Sequence, residues 1–361
     1  MRIVYVASLD PNSERGALQK VQMQTSAWRR MGHSVYLIWD TRSDYPFPDE
    51  NDGDNIDRVY HAKNLLEKWK NSTQVAADLK PWNPDLIYVR FASYNPIVTR
   101  LKTIAPIVFE INGNDKKKNQ KLSLPKRVYR FLTRDRYLNI ASGLVYVTRE
   151  LSRMPIFPTH QPGVAIRNSM DVSGAVRHET DQRESPCRQA VFIGDGAPWH
   201  GMDRVVELAK ALPDWTFHII CPRELPEVPQ NVVEHGAMQR EEYEKVFQQC
   251  SVAVGAMALG RGELKEACSL KVLEYIFYAL PFVVSYEETD FTDQDEFMLT
   301  LSETGPFVDN AGNALPEIQS FFDKWSVAYF DNAEALEKID LQRLEQRRLD
   351  FFSTLIEGAA D

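Results

Sequence analysis

Glu266-Ala267-Cys268-Ser269-Leu270-Lys271-Val272-Leu273-Glu274-Tyr275-Ile276-Phe277-Tyr278-Ala279-Leu280-Pro281-Phe282-Val283-Val284 is the stretch on which the fold turns. Ser269 is of the type that caps a helix, and the residues after it repeat apolar side chains at Leu270, Leu273, Phe277 and Leu280, a helical spacing. Pro281 ends that period, and Phe282 to Ser285 follows with the bulk and branching of a buried strand. A polar loop, a helix and a strand in immediate succession form one unit of a parallel sheet, whose strands need helical crossovers.

The same alternation continues outward. Upstream, strands are expected at Ala190 to Ile193, Thr216 to Ile220 and Val252 to Gly255, with helices near Asp203 to Leu212 and Arg240 to Gln249. The first half repeats the pattern with strands at Ile3 to Ala7, Ser34 to Ile38, Leu86 to Val89, Ile107 to Phe109 and Gly143 to Val147. Its opening helix, Gly16 to Met31, carries Ala17, Val21, Trp28 and Met31 on one stripe and stops at Gly32. Between Asp40 and His61 the prolines Pro46 and Pro48, Gly53 and several acidic residues read as a long excursion away from the core. Pro155, Pro158, Pro162 and Gly163 punctuate a stretch without period, which places a linker there. The expected organisation is α/β throughout. Residues 1–160 form one Rossmann-like domain with a parallel sheet and 161–335 a second. The Leu-, Glu-, Gln- and Arg-rich run from Glu334 to Ile356 is helical, and residues 336–361 form a last helical element packing back on the first domain.

A chain of 361 residues that is 43% apolar suits two domains of ordinary size. No window is long and apolar enough to span a bilayer, and the opening run Ile3 to Ala7 is too short for a signal peptide, so a cytoplasmic protein is expected. Cys187, Cys221, Cys250 and Cys268 show no paired spacing and read as reduced structural thiols. A net charge of −9 argues against nucleic acid as a partner. One window reverses the sign: Lys116 to Arg136 holds nine Lys or Arg against Asp135 alone. It reads either as a solvated helix face or as a surface for anionic lipid or a phosphorylated acceptor, amphipathic through Val128, Phe131 and Leu132.

Ligands of open α/β sheets bind outside the carboxyl ends of the strands, so three loops are candidates. In Ser8 to Gly16, the glycine allows a backbone to approach an anion at the start of a helix; the alternative is an ordinary βα turn. In Gly194-Asp195-Gly196-Ala197-Pro198-Trp199-His200-Gly201, no dinucleotide fingerprint is present, yet His200 and Gly201 can cradle a phosphate; a structural turn around a packed Trp is the alternative. In the third, Ser269 directs the free amides of a helix N-terminus toward a diphosphate, Lys271 adds charge, and Glu274 suits a hydroxyl-bearing ligand; the alternative is a surface pair of Lys271 and Glu274. Asp52-Gly53-Asp54 and Asp293-Gln294-Asp295 have the spacing of a metal-binding D-x-D, but they sit in polar loops and no metal is expected.

Glu266 and Glu274, with seven residues between them, together with Ser269 to Tyr275 and Ala279 to Val284, resemble the E-x7-E helix-and-strand signature of the retaining GT-B enzymes of glycosyltransferase family 4. The resemblance extends to Phe192-Ile193-Gly194 with Trp199-His200-Gly201, to Asn168-Ser169-Met170-Asp171, and to the Gly16 helix ending at Gly32-His33. It implies a GT-B fold of two Rossmann-like domains facing a cleft, the first binding the acceptor and the second the donor. The implied activity is transfer of a sugar from a UDP- or GDP-sugar, with retention and without a metal, to a glycan or lipid-linked acceptor in cell-surface polysaccharide or glycoconjugate synthesis. The resemblance further implies that Glu274 binds the ribose, Glu266 the transferred sugar, and Ser269, Leu270 and Lys271 the diphosphate. Gly16, Gly194, His200 and Gly201 would line the phosphates, and the backbone of Ala237 and Met238 would face the base. Asn112 stands in Glu110-Ile111-Asn112 where relatives often carry His, and it cannot act as a base near neutrality. Asp195 and His200 replace the Arg and Lys that relatives often carry after Phe192-Ile193-Gly194, which leaves Lys271 or Arg204 as the phosphate cation. A GT-B sugar-nucleotide epimerase or hydrolase, and a catalytically silent partner subunit, are the alternatives.

Overall fold

Val-, Ile- and Tyr-rich runs such as Ile3 to Val6 and Leu86 to Tyr88 are fully buried on both faces, which only strands covered by helices on each side of a sheet permit. The structure, a computed structural model, describes residues 1–11, 14–47, 51–120, 122–178, 180–225, 227–292, 294–304 and 315–358, for 118–120 the backbone alone. The chain divides into two units, Met1–Asp171 with Leu341–Asp361, and Val172–Asp340.

The first unit is built on β1 (Arg2–Ser8), β2 (Ser34–Thr41), β3 (Asn51–Asp52), β4 (Asn55–His61), β5 (Leu86–Arg90), β6 (Ile107–Ile111), β7 (Gly143–Tyr146) and β8 (Gly163–Ala165), in the order β3-β4-β2-β1-β5-β6-β7-β8. Only the β3–β4 pairing is antiparallel. Its helices are α1 (Arg15–Arg30), α2 (Leu65–Trp82), α3 (Pro96–Leu101), α4 (Asp115–Gln120), α5 (Leu124–Leu138) and α6 (Arg149–Arg153).

The second unit carries β9 (Gln189–Ile193), β10 (Thr216–Ile220), β11 (Val232–Glu234), β12 (Val252–Val254), β13 (Glu266–Ala267), β14 (Phe282–Val284), β15 (Glu287–Glu288) and β16 (Met298–Thr300). Six of them form a parallel sheet ordered β11-β10-β9-β12-β14-β16, while β13 pairs with β15. Its helices are α7 (Met202–Ala211), α8 (Arg240–Gln249), α9 (Leu270–Phe277), α10 (Leu315–Val327) and α11 (Ala333–Ile339). In both units the chain order reverses beside the first strand, between β1 and β5 and between β9 and β12, as in Rossmann-like sheets.

The structure departs from the sequence expectations at several places. The stretch expected to be a linker, with the domain boundary at 160, lies inside the first unit, because β8 follows Pro162 and pairs with β7; the division falls after Asp171. The excursion from Asp40 to His61 returns as β4, paired with β2 over six residues, because Asp57 is neutralised at its buried position by Arg29. The single helix expected from Glu334 to Ile356 is broken at Asp340, whose ψ of 128° is not helical. Helix α9 stops three residues before Leu280, where Ala279 takes a left-handed φ of 53° and the Leu280 amide turns back to the Tyr275 carbonyl (2.8 Å). All four cysteines carry free thiols, and among the described residues no helix is long and apolar enough to cross a membrane.

Helix α12 (Leu341–Glu357) completes the first unit. Glu345 of this helix is wholly buried and accepts hydrogen bonds from Trp28 Nε1 (2.9 Å), Ser169 Oγ (3.0 Å), Gln24 Nε2 (3.3 Å) and Arg348. Arg348, also wholly buried, lies 4.0 Å from Glu110 on β6, and Glu110 pairs with Lys20 on α1 at 2.7 Å. Deleting one member of such a set strands the others' charge in an apolar interior, which costs far more than the pair is worth. Glu345→Ala is expected to destabilise the protein by about 3 to 5 kcal/mol, read as the shift in a urea unfolding curve; a shift below about 1 kcal/mol would show the network to be dispensable.

Candidate functional site

The order of the second sheet reverses between β9 and β12, and open α/β sheets bind their ligands at the strand carboxyl ends beside such a reversal. Three separate stretches of sequence meet at it. After β9, the chain passes Gly194 and turns at His200 and Gly201 into α7. Gly201 has a φ of +66°, and a Cβ on it would lie 2.8 Å from the Met257 carbonyl carbon, so only glycine lets this turn press against the loop that follows β12. The contact is sealed by the Met257 amide donating to the His200 carbonyl (2.9 Å). Gly194 lies under the His200 ring, where a Cβ would stand 2.9 Å from Nδ1.

The third stretch is the start of α9. Ser269 occupies the cap position with extended φ and ψ, but its side chain makes no capping bond, contrary to the expectation from its residue type. The first amide bonded within the turn is that of Val272, to the Ser269 carbonyl (3.1 Å). Among the described residues the amides of Leu270 and Lys271 have no acceptor, as at any uncapped helix start.

Lys271 folds back over Phe192 of β9, its Nζ 4.5 Å from the ring centroid. That nitrogen is shielded from solvent and, among the described residues, has no hydrogen-bond partner. Burial pulls its pKa down to about 7, against the pull of Asp195, Cys221 and Glu274. Asp195 lies 3.1 Å from His200 Nδ1, and that contact, with the Ala197 amide (2.8 Å), holds its carboxyl down at about 2. Burial, and next the neighbouring Lys271, push His200 below the usual imidazole value, so near neutrality it serves as an uncharged imidazole and not as a second cation.

Glu274, one turn further along α9, accepts a hydrogen bond from Tyr243 Oη on α8 (2.8 Å), and burial raises its pKa. Glu266 is buried in β13, on the same carboxyl side of the sheet. Ala237 and Met238 lie in the loop after the edge strand β11, where Ala237 is exposed and Met238 half-buried. Arg204, the other candidate for the phosphate cation, donates to Glu207 and to the Ser302 carbonyl.

Gly16 and Asn112 belong to the first unit. Gly16 falls inside the first turn of α1, and part of the loop before it, residues 12–13, lies outside the described residues. Asn112 follows β6, with its Oδ1 accepting from Lys20 (3.0 Å) and its Nδ2 donating to Glu110 (2.9 Å), so both ends of the amide are engaged by the charge pair beside it. Of the two D-x-D triplets, Asp293 lies outside the described residues. Asp52 and Asp54 sit in the β3–β4 turn at the amino end of β4, with Asp54 paired to Arg2 (3.2 Å). Among the described residues no three His, Cys, Asp or Glu side chains are grouped to hold a metal ion.

No protein-family model matches the chain, and no curated protein sequence matches it. Solved structures do. Over 99% of its length it is similar to the whole (100%) of a sucrose-phosphate synthase from Thermosynechococcus elongatus, at a TM-score of 0.71 and 11% identity. Over 98% of its length it is similar to 98% of a glycosyltransferase from Rickettsia africae ESF-5, at 0.66 and 10%. The same share is similar to the whole (100%) of Anabaena Alr3699/HepE, solved in complex with UDP and glucose, at 0.62 and 14%. The chain has the GT-B fold. At such identities the likeness is one of fold, and the chemistry of this GT-B chain rests on its own residues.

Tyr243 and Phe192, which hold Glu274 and Lys271 in place, carried no signal of that role in the sequence, because each is far along the chain from its partner. The sealed ammonium has a consequence for stability. A lysine whose folded pKa lies near 7 binds fewer protons than in the unfolded chain, so its burial is most costly below pH 7 and the cost fades as pH rises toward the free value. Lys271→Met is therefore expected to stabilise the fold, by more at about pH 6 than at about pH 9. Denaturation curves of both proteins across that range check it; a gain that is the same at both ends contradicts the sealed, depressed lysine.

Proposed function

We propose that the second unit binds a nucleotide-diphospho-sugar and that this chain transfers the sugar to an acceptor held by the first unit. The observation that carries the reading is Lys271: an ammonium shut away from water with no acceptor, next to two unbonded amides at the start of α9. Such a group is unsatisfied until an anion arrives, and a diphosphate brings the oxygens that it and the amides lack. Glu274, held by Tyr243, then takes the ribose hydroxyls, and Glu266, eight positions earlier, the hydroxyls of the departing sugar. Gly194 and Gly201 let the backbone come close to the phosphates, His200 adds an imidazole donor, and the backbone of Ala237 and Met238 faces the base.

We take the transfer to retain the anomeric configuration, as in family 4, with the leaving diphosphate receiving the acceptor's proton. In that chemistry the protein orients the reactants and stabilises charge, and needs no carboxylate nucleophile. Lys271 and the helix amides do this without a metal, so chelation with EDTA is expected to leave transfer unchanged. The role of the chain would lie in cell-surface polysaccharide or glycoconjugate synthesis.

The basic window supplies the proposed peripheral partner, an anionic membrane. On α5, Leu124, Val128, Phe131 and Leu132 share one face and are 50 to 82% exposed, while the helix turns Arg134, Tyr137 and Leu138 inward. Arg134 is held by Asp115 (2.6 Å) and belongs to the scaffold, but Lys126 and Arg127 are exposed beside the apolar ridge. An apolar ridge flanked by cations matches the boundary between acyl chains and anionic headgroups. Co-sedimentation is expected with anionic vesicles and to be lost in Phe131→Ser with Lys126→Glu and Arg127→Glu; equal pelleting with neutral vesicles contradicts it.

A thermal-shift panel of UDP-, GDP- and other nucleotide sugars is expected to single out the donor by a rise in melting temperature. With that donor, Glu274→Ala is expected to lose about 1 to 3 kcal/mol of binding free energy while remaining folded. Because the anion needs Lys271 protonated, wild-type affinity should fall roughly tenfold per pH unit above 7, and the slope should vanish in Lys271→Met. Calorimetry on the three proteins measures all of this, and unchanged affinity in folded Glu274→Ala removes the assignment. Release of free sugar or an epimer from donor alone, with no transfer to any acceptor, would favour a hydrolase or epimerase.

A further inference from the structure

The loop after β9 carries an exposed acid, Asp195, whose carboxyl is held down at about 2 and is fully ionised near neutrality. Its neighbour His200 is uncharged there, and Lys271, drawn down to about 7, is only about half charged. By themselves these three groups sum to a negative site, which repels a diphosphate. A further cation reaches the loop from the next strand. Strand β10 ends at Ile220, whose carbonyl accepts from the Gly194 amide (3.0 Å), so β9 and β10 stay paired to the point where both chains leave the sheet. Cys221-Pro222-Arg223 follows, and the proline ring stiffens this exit by fixing its own φ and restricting the residue before it. The side chains on either side of Pro222 lie against Gly196. A Cβ on that glycine would stand 3.1 Å from Cys221 Sγ, and 2.6 and 3.1 Å from Cδ and Cγ of Arg223. The φ of Gly196, +72°, favours glycine on backbone grounds as well.

The stem of Arg223 is thus laid across the loop that holds His200, while the residue stays exposed. Among the described residues its guanidinium makes no hydrogen bond and no ion pair. Its charge is nevertheless felt in the loop: burial first, then Lys271, and last Arg223 lower the His200 imidazole, against the pull of Asp195. A guanidinium kept for solubility alone has no need of such a seat. We infer that Arg223 binds the diphosphate together with Lys271 and the amides at the start of α9. The inference rests on the nucleotide-sugar reading above and names the cation that offsets Asp195. With Arg223 counted, the site is net positive near neutrality. It also stays able to hold an anion above pH 7, where Lys271 loses its proton, because a guanidinium keeps its charge at every pH the fold survives. Its planar fork donates two parallel hydrogen bonds to one phosphate, a geometry that an ammonium cannot match.

The test is calorimetry on the full chain with UDP, GDP, their sugars and inorganic pyrophosphate as probes, from about pH 6 to about pH 9. Arg223→Met keeps an apolar stem over Gly196 and removes the charge. It should weaken binding of whichever diphosphate the protein takes about ten- to a hundredfold, by the same factor at both ends of the range. The fall in affinity above pH 7 should persist in it, since Lys271 is untouched. Lys271→Met should do the reverse: the slope goes, and the affinity that remains is lost when Arg223→Met is added. Lys210→Met, which removes an exposed cation of α7, controls for net charge and should leave affinity within about twofold of wild type. Unfolding curves confirm that each variant is folded. Nucleotide affinity within about twofold of wild type in Arg223→Met, or an equal loss in Lys210→Met, overturns the inference and leaves the nucleotide-sugar reading intact. If pyrophosphate binds through Arg223 while no nucleotide or nucleotide sugar binds, the anion site stands and that reading falls. If the wild type binds none of the probes, both fall.

Discussion

Glu345 has no exposure to water and holds the first half of the molecule together. An ionised carboxylate in that position is tolerable only when every lone pair facing the interior is occupied, and four side chains from α1, α12 and the segment after β8 occupy them. Through Arg348 the same set leads to Glu110, Lys20 and Asn112 at the carboxyl end of the sheet. Burial tends to raise the Glu110 carboxyl, but Lys20, Arg348 and Arg90 overcome it and hold the group well below the usual carboxylate range. Lys20, by contrast, is drawn down to about 8 by burial in spite of Glu110. The helices and the sheet of this half are thus tied by a continuous chain of charge, not by apolar contact alone.

Against that background Lys271 in the second half stands apart: it is a charged group whose Nζ is shut away from water with no hydrogen-bond partner among the described residues, and it lies where the order of its sheet reverses. In the first half several side chains gather to neutralise an interior charge such as that of Glu345 or Glu110. At Lys271 no hydrogen-bonded counter-charge is supplied, which is the polarity expected of a pocket for a diphosphate.

Much of the architecture was legible because parallel strands buried on both faces are continuous in apolar residues, as Ile3 to Val6 and Val252 to Val254 are. The elements that escaped were those lacking that property. Strand β4 carries a buried aspartate neutralised from a distant helix, β8 is three residues at an edge behind a proline, and the break at Asp340 has no Gly or Pro to announce it. At the site, the helix start and the spacing of Glu266 and Glu274 could be read. What could not be read was where the side chains go: that Lys271 turns onto Phe192, or that Tyr243 reaches Glu274. Those facts depend on tertiary contacts across tens of residues, which no local pattern encodes.

Because residues 341–361 belong with 1–171, the first half is discontinuous in the chain, whereas the second is a single run from Val172 to Asp340. On a ribosome the order of assembly is then inverted. The strands made earliest must wait, with Trp28 and Gln24 lacking their carboxylate, until α12 has emerged, by which time the later half can already be folded. The buried donors of α1 thus receive their acceptor only from one of the last-made helices of the described chain.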